Sequence, residues 1–445
     1  MIRRELRPMI ALATPVVFAE LGWSAMGIVD TLMVGRISAD AIGAVGLAGM
    51  LFFAIAVFAM GLLLGLDPLV AQAFGARRLD ECHRWLVDGV WLSLLVSVPV
   101  VAIMFALDAS LGWWGLPPTV LALTRPYLRI LTWSLPPLLL YVSFRRYLQA
   151  MNLARPVMIA LVFTNVVNAV GNWILIFGHL GAPALGVRGS AYSTLVARLC
   201  LAGWLLAAIL VHESEGPPAP STVDGRLRHT PLGFSAKRVR RLFDLGLPAA
   251  GQAVLEVGVF AAATALAGRV SASALAAHQV ALHMASLTFM VPYGIASAAA
   301  VRVGHAVGRG DPRGMRAAGW TAILIGVGFM ALSALAFLTI PRALMHAFTR
   351  DSAVVETGAS LLFVAAIFQL FDGLQAVTTG TLRGLGDTRT PMLWNLAGHW
   401  FIGLPLGYSL CFLVGIGVVG LWWGLSAGLM ICGAALLAVW AGRSS

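Results

Sequence analysis

Charge is scarce in this sequence. Only 11% of its 445 residues are Asp, Glu, Lys or Arg, against about 25% in a soluble domain, so a water-soluble globule is excluded. Lys237 is the single lysine. Cys82, Cys200, Cys411 and Cys432 stand apart without CxxC spacing, which argues against a disulfide framework or a zinc site. No Walker loop occurs, so ATP is not the energy source within this chain. Apolar residues run continuously instead of alternating at period two, which excludes an outer-membrane barrel.

What fills the chain is hydrophobic sequence, 59% by composition. Apolar runs of 20 residues or more follow one another, each able to cross a hydrocarbon core of about 30 Å at about 1.5 Å per residue. The pattern predicts an all-α integral membrane protein with twelve transmembrane helices, at 9–34, 41–72, 86–108, 119–146, 156–178, 187–211, 239–267, 274–305, 315–340, 353–381, 391–412 and 416–441. The basic start MIRRELRP leads into a full-length span and shows no small-residue cleavage site, so it reads as a retained first helix and not a signal peptide. One long polar stretch, HESEGPPAPSTVDGRLRHTPLGFSAKRVRR (212–241), interrupts the series as a linker.

The halves are related. Pro15, Gly35, Arg36, Ser38 and Gly75 recur as Pro248, Gly268, Arg269, Ser271 and Gly308 at one offset of 233. Pro156 pairs with Pro391, and GVRG at 186–189 with GVVG at 417–420. This predicts two pseudo-symmetric six-helix bundles: a lobe at 1–212, a cytoplasmic linker at 213–238 and a lobe at 239–445. Six spans per half make the repeats parallel, with a cleft between them. The net charge of +11 reads as arginine in short loops. Arg3, Arg4, Arg7, Arg77, Arg78, Arg84, Arg145, Arg146, Arg155, the Arg226 to Arg241 cluster, Arg302, Arg309, Arg313, Arg316, Arg383, Arg389 and Arg443 then share the side of both termini, which the positive-inside rule makes cytoplasmic. That charge is no nucleic-acid footprint.

The informative residues are acids inside apolar runs. Asp30 reads as the middle of a greasy first segment, and Glu256 and Asp372 lie in similar surroundings in the second half. A charge at the bilayer centre costs on the order of 2.5–3.5 kcal/mol, so such residues usually face a cavity, a partner or an ion, and they point to transport. Trp23 lies two turns before Asp30 on nearly the same face, flanked by Met26 and Met33. An acid beneath an aromatic and two thioethers suits protons, sodium or bulky cations. Glu20 lies about 15 Å along the same helix. Asn168 and Asn172 are one turn apart on the fifth span and could ligate a cation or hydrogen-bond Asp30; amides also glue membrane helices together. Asp67 precedes Pro68 deep in the second span, where a local polar pocket and a helix bend are both open.

In the second half Gln252 and Glu256 are one turn apart, and Glu256 with Asp372 resembles a coupled pair sharing protons or a cation. Gln369 and Gln375 flank Asp372, and Arg383 reads as an anchor at the cytoplasmic end of that span. His278, His283 and His305 lie on span eight; His278 is the candidate for that site, with a packing hydrogen bond as the bland alternative. GLSAG at 424–428 fits a nucleophile elbow but lacks a strand–turn–helix context. It also fits GxxxG, a packing face. No enzyme is expected.

With these residues in view, the chain resembles the multidrug and toxic compound extrusion (MATE) family, in its NorM-like branch. The matching segments are LATPVVFAELGWSAMGIVDTLMVG, LVAQAFGA, NAVGNWILIFG, GLPAAGQAVLEVGVF, AAHQVALHMASLTFMVPYGI, VRVGHAVG and TLRGLGDTRTP. The resemblance implies two six-helix bundles around a central cleft. It also implies export of cationic or amphiphilic compounds against an inward H+ or Na+ gradient, with no cofactor beyond that coupling ion. It carries Asp30 over as the first-lobe acid, and Glu256 and Asp372 as second-lobe acids that could hold Na+. Three positions depart from the pattern: Asn172 stands where the archaeal-type branch has a second acid, Phe368 where a tyrosine is common, and His283 where an amide is expected. The expected partners are small organic cations or amphiphiles and membrane lipids, for a monomer in a bacterial inner membrane. The rivals are a flippase for a lipid-linked precursor, which would want a strongly cationic cavity, and a non-transporting membrane sensor.

Overall fold

The computed structural model describes residues 2–215 and 233–444; most of the linker expected at 213–238, with Arg226 and its neighbours, lies outside the described residues. Every regular element among these residues is helical. In chain order they are α1 (Ile2–Val34), α2 (Ala39–Leu62), a 3₁₀ turn (Leu63–Gly65), α3 (Leu66–Gly75), α4 (Leu79–Ser110), α5 (Pro118–Thr132), α6 (Leu135–Ala150), α7 (Ala154–Phe177) and α8 (Val187–Glu215). Then come α9 (Ala236–Val270), α10 (Ala272–Gly308), α11 (Pro312–Thr339), a short α12 (Pro341–His346), α13 (Ser352–Gly384), α14 (Arg389–Asn395), α15 (Leu404–Tyr408) and α16 (Val418–Ser444). Eleven segments are long and apolar enough to cross a membrane. The expected fourth span is the exception, because it is broken into α5 and α6. The chain is thus a multi-pass, all-α membrane protein with the twelve-span plan.

Proline explains where the helices break. Pro136 and Pro137 lack N–H donors, and their rings crowd the carbonyls of Thr132 and Trp133, so α5 stops at Thr132 and α6 restarts at Leu135. Pro68 acts likewise on the second span, where the 3₁₀ turn Leu63–Gly65 takes up the strain. Pro405 deprives the carbonyl of Phe401 of its partner, and span eleven widens into π-helical turns at Leu396–Gly403 and Ser409–Leu413. Large apolar side chains such as Leu32, Val98, Leu332 and Phe401 stay exposed on the helix surfaces; in lipid that is their ordinary environment.

The internal repeat reaches down to backbone geometry. Ser38 and Ser271 are both extended N-caps whose hydroxyls accept from the N–H three residues on, Ala41 and Ala274. Left-handed residues recur in register too: Arg77 with Gly310, Asn152 with Gly386, Gly186 with Gly417. Each ends or begins a helix in its half. The GxxxG reading of 424–428 also holds. A Cβ at Gly424 would fall on the backbone of Gly403 and Gly407, and one at Gly428 on that of Gly398.

Contacts group the chain into two compact units, one of 18–250 and one of 251–445 with 1–17. Both changes of membership fall two residues after a repeat-related proline, Pro15 in α1 and Pro248 in α9.

Two expectations need correction. Asp30 is not mid-helix: α1 starts at Ile2 and ends at Val34, which leaves the acid one turn from its C-terminal end. Arg145 and Arg146 are not loop residues but lie buried within α6, whereas Arg383 lies in the last turn of α13, at the end of its span. The positive-inside count therefore included arginines that the fold uses internally.

Candidate functional site

In the unit of 18–250, Asp30 lines a cavity of about 310 Å³ whose walls come from α1, α2, α5, α6 and α8. Its carboxylate is held on both oxygens. Asn172 Nδ2 donates to Oδ1 at 2.6 Å, and Thr194 Oγ1 donates to Oδ2 at 3.2 Å. Asn168 stands behind: its Oδ1 accepts from Asn172 Nδ2 at 3.4 Å. The remaining amide atoms, Asn168 Nδ2 and Asn172 Oδ1, are enclosed and unpartnered, which is hydrogen-bonding capacity left for an ion or water. The structure thus brings Asp30, Asn168 and Asn172 together as the α1 and α7 spacings suggested.

Trp23 lines the same cavity, stacked on Tyr141 with ring centres 6.0 Å apart. Met26 is there as well. Glu20 is not: it does not line the cavity, and its carboxylate is ion-paired with buried Arg145. Asp67, 1% exposed, is paired with Arg146 at 3.4 Å. The position beside Pro68 is therefore a helix bend carrying an internal ion pair.

Among the cavity residues that the sequence did not single out are Thr194, Arg198 and Tyr127. Ser190, Thr194 and Arg198 repeat every fourth residue along α8 and so share a face. The signal was available as a lone arginine inside the apolar run LVARLCLAGW.

The unit of 251–445 holds the second set. Glu256 and Asp372 sit near the middles of α9 and α13, and the charge of Glu256 bears on Asp372. Neither makes a hydrogen bond or ion pair among the described residues. Phe260, one turn after Glu256, meets Phe368, one turn before Asp372, edge-to-face at 6.1 Å. α9 and α13 run in opposite directions through the series of spans, so both rings lie to the same side of the acids and form an aromatic layer over them. Trp422 and His399 extend it. Phe368 thus supplies an aromatic face where a tyrosine would supply a hydroxyl.

Gln252, one turn before Glu256, is buried and makes no hydrogen bond among the described residues. Gln369 Nε2 donates to Thr288 Oγ1 at 2.5 Å. His278 is a satisfied packing residue: Trp422 Nε1 donates to its Nδ1 at 3.0 Å, which puts the proton on Nε2, 2.9 Å from Thr264 Oγ1. His283 is exposed, with Nδ1 against the Gln279 carbonyl. No group of three or more His, Cys, Asp or Glu residues converges among the described residues.

The chain matches known proteins along its whole length. It is 38% identical to a probable multidrug resistance protein NorM of Mesorhizobium japonicum, covering 99% of this chain and 94% of that one. It is also 38% identical to a multidrug resistance protein NorM of Burkholderia vietnamiensis, covering 96% and 92%. Among solved structures, a eukaryotic MATE transporter, AtDTX14, superposes with a TM-score of 0.87 at 20% identity over 100% of this chain and 98% of that one. An outward-facing MATE family transporter superposes with a TM-score of 0.86 at 19% identity, covering 99% and 96%. The MatE family model matches residues 15–174 and 248–409, two stretches that begin at the repeat-related prolines; with relatives this similar over this length, the chain belongs to the MatE family.

Proposed function

We propose that this protein is a multidrug exporter, an antiporter that expels cationic or amphiphilic compounds in exchange for inward H+ or Na+ by alternating access. It is a transporter and not an enzyme. It works as a monomer in a bacterial inner membrane with both termini cytoplasmic. The observation that carries the reading is Asp30. The acid is 8% exposed, lines an aromatic-walled cavity and is gripped by two neutral donors instead of an opposite charge. A carboxylate so placed can exchange a proton or a cation without breaking an ion pair. Loading it from outside and discharging it inward would drive the cycle, with the Glu256–Asp372 pair as a second acidic site.

A lipid-linked precursor flippase would need several cations to hold a pyrophosphate. The Asp30 cavity offers one acid and one arginine, and Glu256 and Asp372 of the second unit have no ion-pair partner among the described residues. The test is Asp30→Asn in cells lacking other exporters: resistance to a lipophilic cation should fall to the level of the empty vector at equal protein abundance. Full resistance with this variant would refute the reading.

A further inference from the structure

Phe260 and Phe368 cover the Glu256–Asp372 pair, and with both termini cytoplasmic that aromatic layer stands between the acids and the outside. Phe260, Phe368 and Trp422 carry no group that takes up a proton near neutrality. His399 does, and its ring lies 6.5 Å from that of Phe260 between centres. It is 1% exposed, and both ring nitrogens are enclosed without a hydrogen-bond partner among the described residues. Asn395, also buried, has both amide atoms in the same condition. The two residues are about one turn apart and so share a face of span eleven.

Span eleven leaves α-helical geometry at this point. Its π-helical turn starts at Leu396, directly after Asn395, and such turns are frequent at functional sites. Trp400 Nε1 donates to the carbonyl of Leu255, the residue before Glu256, so the turn is docked on α9 beside the acid. On the other side a Cβ at Gly398 would meet the Gly428 carbonyl and the Cβ of Cys432. Spans seven and eleven run in the same direction through the series. Asn395, one turn before His399, therefore falls on the acid side of the layer, as Glu256 does relative to Phe260. The titratable groups that the packed elements bring to this depth are Glu256 of α9, Asp372 of α13 and Cys432 of α16. Tyr408 of α15 is exposed, and Arg389 opens α14 ten residues before His399. His399 makes no ion pair among the described residues.

An imidazole with neither nitrogen bonded, beside an amide with both atoms unspent, is hydrogen-bonding capacity suited to water. Ring and amide together supply the two to four polar partners that a held water needs. No group of three or more His, Cys, Asp or Glu residues converges among the described residues, which favours a proton over a metal ion as the species handled here.

We infer that His399 is the proton-carrying residue of the aromatic layer, passing protons between the outer side and the Glu256–Asp372 pair, with Asn395 holding the water that links ring and acids. One ring nitrogen accepts a proton from the outer side and the ring becomes imidazolium. A ring N–H then gives a proton through that water to the ionised carboxylate of Glu256, leaving a neutral imidazole and a carboxylic acid. This rests on the reading of the protein as an ion-coupled antiporter with the pair as its second acidic site.

The test is efflux of tetraphenylphosphonium from proteoliposomes of full-length protein, as initial rates against external pH between about 5 and 8 with the size of the imposed pH gradient held constant. Wild type should titrate in that range. His399→Gln keeps hydrogen-bonding atoms but cannot take up a proton; it should lower the rate at least tenfold and flatten the profile. Asn395→Leu leaves the imidazole in place and should displace the profile. A His399→Gln profile with the wild-type shape, at whatever rate, would overturn the assignment, because a packing defect scales the rate without reshaping its pH dependence. If His399→Gln does not fold, Asn395→Leu decides by the same criterion. Wild-type protein that answers neither a pH nor a sodium gradient would end the antiport reading itself. Wild type driven by sodium, with a pH profile untouched in His399→Gln, would leave antiport standing and remove only the role of His399.

Discussion

One turn from the C-terminal end of a helix, an anion faces the negative pole of the peptide dipoles. Asp30 sits there in α1, so its ionised form depends on the donors that Asn172 and Thr194 supply. A hydrogen bond to a charged group contributes about 1.5–3 kcal/mol, on the order of a tenfold to hundredfold effect. Asn172→Leu is therefore expected to cut export of a lipophilic cation at least tenfold, and Asn168→Leu, whose contact with Asn172 is longer at 3.4 Å, to cut it less. Initial efflux rates for the two variants check that order. Glu20 belongs to a different class. Its pair with Arg145 is buried on both sides, and breaking such a pair costs about 3–5 kcal/mol while replacing both members is often neutral. Arg145→Leu should lower the thermal unfolding temperature in detergent strongly, and the double variant Glu20→Leu with Arg145→Leu should recover most of the loss. If the double variant is as unstable as the single one, the pair is not what holds Glu20 in place. Sequence exposed the acids, since carboxylates in apolar runs are conspicuous. It could not say which of them had found an arginine, because Arg145 and Arg146 lie 125 and 79 residues from their partners.

At the scale of elements, most of the architecture was legible. Long apolar runs placed the spans, but the fourth was expected unbroken at 119–146, and the paired prolines at 136–137 divide it into α5 and α6. The π-helical turns of span eleven were legible only in part: Pro405 marks the broken ladder, but the tertiary anchor, where Trp400 Nε1 donates to the Leu255 carbonyl at 2.9 Å, was not. The packing of α16 depends on absent side chains. Its Gly424 and Gly428 lie against the glycine backbone of Gly398, Gly403 and Gly407. Gly424→Leu inserts four carbons where none fits, and overpacking typically costs about 1–3 kcal/mol. Since backbone cannot yield as a side chain can, the expected outcome is loss of the monodisperse peak on size exclusion after mild heating, with Ala427→Leu as the comparison on the same helix. Equal behaviour of the two would contradict the close approach.

For the molecule as a whole, the repeat has kept its backbone and changed its chemistry. Caps and left-handed turns recur in register, yet at the offset of 233 Trp23 corresponds to Glu256 and Asp30 to Ala263. Two different polar sites have thus been set into one scaffold: an acid with an arginine in an aromatic cavity, and a pair of acids beneath an aromatic layer. Sequence comparison of the halves revealed the shared scaffold, but it could not mark Arg198, which has no arginine counterpart in the second half. Because the acids of the second set have no hydrogen-bond or ion-pair partner among the described residues, Glu256→Gln and Asp372→Asn are expected to fold with undiminished stability and to alter the dependence of efflux on the imposed ion, read as initial rates against external pH and sodium.

The most direct measurement is efflux of a lipophilic cation from proteoliposomes in which a pH gradient and a sodium gradient are imposed one at a time, on wild type and Asp30→Asn side by side. Exchange at Asp30 requires that one gradient accelerate efflux by wild-type protein and that the variant fall to the passive leak under both. Gradient-driven efflux by Asp30→Asn at the wild-type rate would contradict it.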